Sequence, residues 1–395
     1  MDIVIVLILT LLINQLFFKF FRRRHRFFNI RLMNGLYFYH LIFFLAYFIY
    51  AMYRPSDSKH YYFLSVTQSD YWLDFFETST PFITFLAIPF VKSGLSYAGT
   101  MLLFAWLGYL GFVFAYLFFR ENVPNKIKVF GVDFLTLLLF LPNMHFWTAS
   151  LGKGAVIFLG LMMVAYAIKK PFRRWIILVL GAFLVYMVRP HVMLFMVVGI
   201  TFGYLRGREK INPVIKFLVI ILMIAFLFFA SDTILKMVNL ENSENLTQDF
   251  MNYSELQAER LSESSGSGVN MNNYPLPFKF FTFWFRPLFI DAPNFLGLIT
   301  SFENLLYLLI FLKIFNWRFI RFFRKAPYMV KMSGVTFLLA TFALTFLMSN
   351  LGIIMRQKSQ VMYFAFFVIY YFLAEQEAYK NYKRMQIIKK PKHEY

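Results

Sequence analysis

Tyr274-Pro-Leu-Pro-Phe-Lys-Phe-Phe-Thr-Phe-Trp-Phe-Arg286-Pro287-Leu-Phe-Ile-Asp291 closes a long polar insertion, Ser231 to Asn294, in an otherwise apolar chain. The insertion stands out because of what surrounds it. Of 395 residues, 59% are hydrophobic and 55 are Phe, more apolar surface than a soluble core of this length can hide. The solvent is therefore lipid, and the expected fold is an all-α polytopic integral membrane protein. The absence of Cys excludes disulfides, thiolate metal sites and a Cys nucleophile.

Outward from the insertion, apolar runs fall at 2–18, 33–53, 96–119, 129–142, 154–168, 175–188, 191–205, 214–230, 294–312, 332–349 and 359–373. They predict about 11 transmembrane helices, with termini on opposite sides. The first run is followed, not preceded, by its basic cluster, so it reads as a retained span and not a cleaved signal. Segments 82–91 and 278–289 are short and bracketed by Pro81, Pro89, Pro277 and Pro287, which predicts re-entrant or interfacial half-helices.

Alternate connections divide the charge unequally. One face takes 29 of the 40 basic residues and five of the 20 acidic ones. By the positive-inside rule that face is cytoplasmic, so the N-terminus and the large 231–293 loop lie outside and the basic 375–395 tail lies inside. The net charge of +20 is then a topology and membrane-lipid signal, with no nucleic-acid footprint. Within the loop, Asn239 to Ser267 is polar, which predicts a partly mobile segment.

With this topology the unusual polar residues gather at the outer ends of the spans: Asp57, His60, His145, Trp147, Lys153, Arg189, His191, Arg286, Glu303, Asn304, Arg356 and Lys358. Interfacial cations often only snorkel to headgroups, and Lys59 and Lys92 fit that reading. Arg189 and Arg286 differ, because a following proline pins each at a tight junction. Arg356 and Lys358 are expected together in a short outer hairpin. Asp57 and Glu303 balance these cations or pair with them, and His145 with Trp147 also fits an aromatic belt.

Guanidinium forks and imidazoles around a few carboxylates suit a dianionic headgroup such as a lipid pyrophosphate. If that diphosphate leaves during sugar transfer, the arginines stabilise the developing charge, and Asp57 or His191 takes the acceptor proton. No Asp-x-Asp, His-x-x-x-His or Gly-x-Ser-x-Gly pattern favours a metal site or a serine nucleophile, and no cofactor is expected.

Asp57…Tyr61-Tyr62, Pro142-Asn-Met-His-Phe-Trp-Thr-Ala-Ser-Leu-Gly152-Lys153-Gly154, Arg189-Pro190-His191, Gly266-Ser267-Gly268…Phe285-Arg286-Pro287-Leu288, Ser301-Phe-Glu303-Asn304 and Asn350-Leu-Gly352…Arg356-Gln-Lys358 follow in order. In this series the chain resembles the bacterial Wzy-type repeat-unit polymerases and EpsG-like proteins of exopolysaccharide and O-antigen biosynthesis. It departs from them at Lys358, where an arginine would be expected.

The resemblance implies a metal-independent, GT-C-like membrane glycosyltransferase of the bacterial cytoplasmic (inner) membrane. Such an enzyme joins undecaprenyl-diphosphate-linked oligosaccharides to a growing glycan acceptor at the outer face. Envelope-assembly partners such as a chain-length regulator are implied as well. Arg189, Arg286 and Arg356 would hold the diphosphate, assisted by Lys153, with Lys358, His145 and Glu303 as further substrate-binding residues. An O-antigen ligase or a transferase using a lipid-monophosphate sugar is the alternative enzyme. A lipid-linked glycan transporter and a non-catalytic envelope subunit are the alternatives of another class.

Overall fold

A computed structural model describes residues 1–389 apart from 130, 238–239, 241–244, 264–267, 270, 272–273, 293 and 348–349. The chain is helical almost throughout. It begins with α1 (Asp2–Arg24), α2 (Ile30–Tyr53), α3 (Asp57–Thr67), α4 (Thr80–Lys92) and α5 (Tyr97–Asn122). A hairpin, β1 (Lys128–Val129) and β2 (Val132–Asp133), leads into α6 (Phe134–Leu139), α7 (Pro142–Thr148) and α8 (Lys153–Ala167). Then follow α9 (Trp175–Val188), α10 (Pro190–Arg206), α11 (Pro213–Met237), α12 (Leu246–Glu263) and α13 (Leu276–Phe285). The chain ends with α14 (Phe295–Phe311), α15 (Trp317–Arg324), α16 (Tyr328–Leu347) and α17 (Leu351–Lys389).

Helices α1, α2 and α5, with Pro213–Lys236 of α11 and Tyr328–Phe346 of α16, are long and apolar enough to cross a bilayer. The pair α7 and α8, bent by 114°, makes a further crossing if it is one broken span. This is a polytopic helical membrane protein. Local chemistry sets where its helices start and stop. Asn29 caps α2 by accepting from Leu32 N at 3.1 Å, and Ser96 caps α5 by accepting from Gly99 N at 3.2 Å. Arg22, Arg23 and Arg24 end α1, where cations meet the negative end of the helix dipole.

Two expectations need correction. The 129–142 run is no single span: it holds the hairpin, the six-residue α6 and a break before α7. Asp133 starts α6 by accepting from Thr136 N at 3.0 Å, and Pro142, with no N–H to donate, ends that continuity and opens α7. The polar loop also begins later than expected, because α11 continues to Met237. Much of its first half is helix α12, and its remaining residues 239, 241–244 and 264–267 lie outside those described. Segment 82–91 is part of the continuous helix α4, despite Pro89, while α13 stops before Arg286.

The packing has an inside and an outside. Helices α5 and α8 are buried over most of their length, and α17 is buried almost without interruption from Lys358 to Phe372. Helices α1, α2, α9 and α11 present apolar side chains outward. Helix α7 folds back against α5 and α8 through two glycines. A Cβ on Gly108 would run into the Thr148 carbonyl, and one on Gly154 into the Trp147 carbonyl. The close return from α7 to α8 thus depends on their having no side chain.

Candidate functional site

Helix α9 ends at Val188 because Pro190 disfavours a helical residue before it, and α10 starts at once with that proline in its first position. Arg189 is the link. Its backbone N–H still donates to Val185 O at 2.8 Å, while its carbonyl accepts from Val192 N at 3.0 Å. Its side chain is 7% exposed, yet among the described residues no carboxylate or hydrogen-bond acceptor meets it. Burial, then repulsion from Arg356, pushes its pKa down to about 9, so it remains charged at neutral pH. The positive end of α10 lies beside it.

Three further segments converge on Arg189. Arg356 acts on it electrostatically and donates to Asp57 Oδ2 at 2.7 Å, with its guanidinium 5.8 Å from the Trp147 ring centre. Asp57 is the first residue of α3, placed there by the Ser56 cap. Lys153, the first residue of α8, lies within the fields of Arg189, Arg356 and Asp57, and donates to Ser79 Oγ at 2.8 Å. His191 lies within the fields of Arg189 and Lys153. Buried Tyr61 faces Asp57, Arg356 and Arg189; burial first, then the Asp57 carboxylate, raises its phenol above the usual range. The cluster therefore gathers three full cations and one carboxylate.

Glu303 and Lys358 build a second, closed polar group. Asn143 N donates to Glu303 Oε2 at 2.8 Å, and the Tyr307 hydroxyl donates to Glu303 Oε1. Lys358 is fully buried and donates to Asn304 Oδ1 at 2.6 Å, Arg286 O at 2.9 Å and Trp284 O at 3.3 Å. Its three N–H groups all have acceptors. Arg286 pairs with Asp291 five residues on, and Leu288 N donates to the same carboxylate at 2.5 Å. Burial opposes the Arg286 charge, but Asp291 and Tyr274 outweigh it and hold the pKa above the usual arginine range. The side chain of Arg286 makes no contact with Arg189 or Arg356.

The expected site is thus gathered in part. Asp57, Lys153, Arg189, His191 and Arg356 come together, whereas Arg286, Glu303 and Lys358 form the neighbouring group. Arg356 and Lys358 are not in a hairpin; both lie on α17, and side chains two apart on a helix point about 200° away from each other. The same geometry separates His145 from Trp147 on α7. His145 is fully buried, stacked on Phe112 at 3.9 Å and bonded to His40 at 2.8 Å and to Leu139 O at 2.7 Å. It packs the core and reaches neither cluster. His60 is exposed, with its ring 6.5 Å from that of its neighbour Tyr61.

Ser79 escaped sequence reasoning. It adopts φ 76°, a left-handed conformation unusual for a residue with a side chain, and its N–H donates to Met187 O at 2.6 Å. It thereby ties the start of α4 to the end of α9 and hands its hydroxyl to Lys153. Nothing in Ser-Thr-Pro announces that conformation. Among the described residues, no group of three or more His, Asp or Glu side chains is placed to hold a metal ion. Compared with known proteins, the chain matches no family model, no curated protein and no solved structure.

Proposed function

We propose that this chain is a glycosyltransferase that polymerises undecaprenyl-diphosphate-linked oligosaccharide units at the outer face of a bacterial cytoplasmic membrane. The observation that carries the reading is Arg189, a buried guanidinium with no anion among the described residues, flanked by Arg356 and Lys153. A buried unpaired charge is costly, and a diphosphate offers it bidentate oxygens. In this reading the chain crosses the membrane 11 times in a GT-C-like arrangement, N-terminus outside and C-terminus cytoplasmic. The broken stretch α6–α7, the helix α8, the short helices α9, α10 and α14, and the buried α17 bring the five long apolar helices to eleven.

The proposed chemistry uses the cluster. An acceptor hydroxyl attacks the anomeric carbon of the donor sugar, the new C–O bond forms, and the bond from that carbon to the diphosphate oxygen breaks. The electron pair leaves with the lipid diphosphate, whose charge Arg189, Arg356 and Lys153 take up. The acceptor proton passes to Asp57, a half-exposed carboxylate at the edge of the cations, with 59% of its side chain open. His191, in the fields of the same cations, is the poorer second acceptor. Arg286 acts from the adjoining loop by fixing Asp291 and supplying a carbonyl to Lys358.

The decisive experiment supplies purified wild-type and Arg189→Ala protein with lipid-linked repeat units and separates the products by size. The variant is expected to leave single units on lipid at unchanged protein level. Chains of normal length from Arg189→Ala would overturn the reading.

A further inference from the structure

We propose that a groove between the β1–β2 hairpin, the C-terminal end of α14 and helix α17 binds the phosphate headgroup of an anionic phospholipid, with an acyl chain along α14. The groove is lined by none of the residues of the Arg189 cluster. Lys126, Lys128, Lys313 and Lys380 converge on it, and Leu306 and Leu309 form part of its apolar wall. Among the described residues, Lys126, Lys128 and Lys313 have no carboxylate partner; Lys380 has an exposed Glu377 at 3.9 Å. Exposed pairs of that kind neutralise little.

The groove volume of about 710 Å³ suits a headgroup, and its apolar side runs on to lipid. Phe302, Leu305 and Leu309 are exposed along one stripe of α14, so a chain leaving the groove stays in contact with the hydrocarbon surface. A second basic cavity of about 490 Å³ lies near Lys169 and Lys170. There, however, Lys170 pairs with Glu121 at 3.1 Å and Lys169 donates to Glu121 O at 2.5 Å. The first groove keeps Lys126, Lys128 and Lys313 without a carboxylate partner among the described residues, beside an apolar wall. Basic hollows between membrane helices recognise lipid phosphates in this way, each lysine strengthening attraction to an anionic surface. A free phosphate would use the lysines and leave the wall unused.

The full chain in nanodiscs of zwitterionic phospholipid, titrated with phosphatidylglycerol and read by native mass spectrometry, tests this. Wild type is expected to retain the anionic lipid in preference to the neutral one. Lys128→Ala with Lys313→Ala should weaken retention roughly 30-fold, while Arg22→Ala with Arg23→Ala should not. Equal loss in both double variants would mean a diffuse field and overturn the proposal. Displacement of the lipid by inorganic phosphate or by polyglutamate would overturn it as well. Should the alanine pair fail to fold, wild type still decides, because equal retention of neutral and anionic lipid defeats the proposal.

Discussion

Arg189 and Lys358 are both buried cations at the end of an apolar bundle, and they differ in what surrounds them. Lys358 has three acceptors for its three N–H groups. Arg189 has no acceptor among the described residues and faces a second arginine. A satisfied charge holds a structure together; an unsatisfied one awaits something that is not part of the chain. On this comparison Lys358 belongs to the architecture and Arg189 to the proposed site.

The largest effect should come from Arg189→Ala. Product formation should fall by roughly 10²–10³-fold, as when one preorganised electrostatic contact to a transition state is lost, with the thermal midpoint unchanged or raised as an unpaired buried charge is removed. Arg189→Lys should restore only part of it, since an ammonium cannot fork. Lys358→Ala should do the reverse. Three acceptors lose their donor, and folding should weaken by about 3 kcal/mol, seen as a lower thermal midpoint in detergent. A Lys358→Ala protein of normal stability but no activity would break the comparison.

Ser79→Gly should sharpen it. Glycine adopts the left-handed backbone freely, so stability should hold or rise by about 1 kcal/mol, while turnover falls roughly tenfold as Lys153 loses its hydroxyl partner. The smallest effect concerns Asp57 and Arg356. In a double-mutant cycle on stability their coupling should stay below about 1 kcal/mol, because the Asp57 side chain is 59% exposed. EDTA should leave the extension assay unchanged; inhibition reversed by added Mg²⁺ would count against arginines as the sole electrophiles.

Hydropathy alone made the fold class legible, because apolar runs such as 2–18, 33–53 and 96–119 lie within long helices. It failed at 129–142, where an apolar hairpin and a proline break look like one continuous span. In the site, prolines and cations pointed to Arg189, and charge to Arg356, Lys153 and Asp57. What could not be read was direction. His145 beside Trp147, and Lys358 beside Arg356, look like neighbours in sequence and point to different places once both are helical. Nor does any pattern signal Ser79, whose conformation is imposed from Met187 across the fold.

The burial of α17 also bears on how the molecule is made. A segment carrying Arg356, Lys358 and Gln360 is a poor candidate to enter lipid by its own hydropathy. Its polar groups find partners on α3, α7, α13 and α14, all synthesised earlier. This helix therefore depends for its insertion on a bundle already waiting in the bilayer. Its arrival creates the Asp57–Arg356 side of the site.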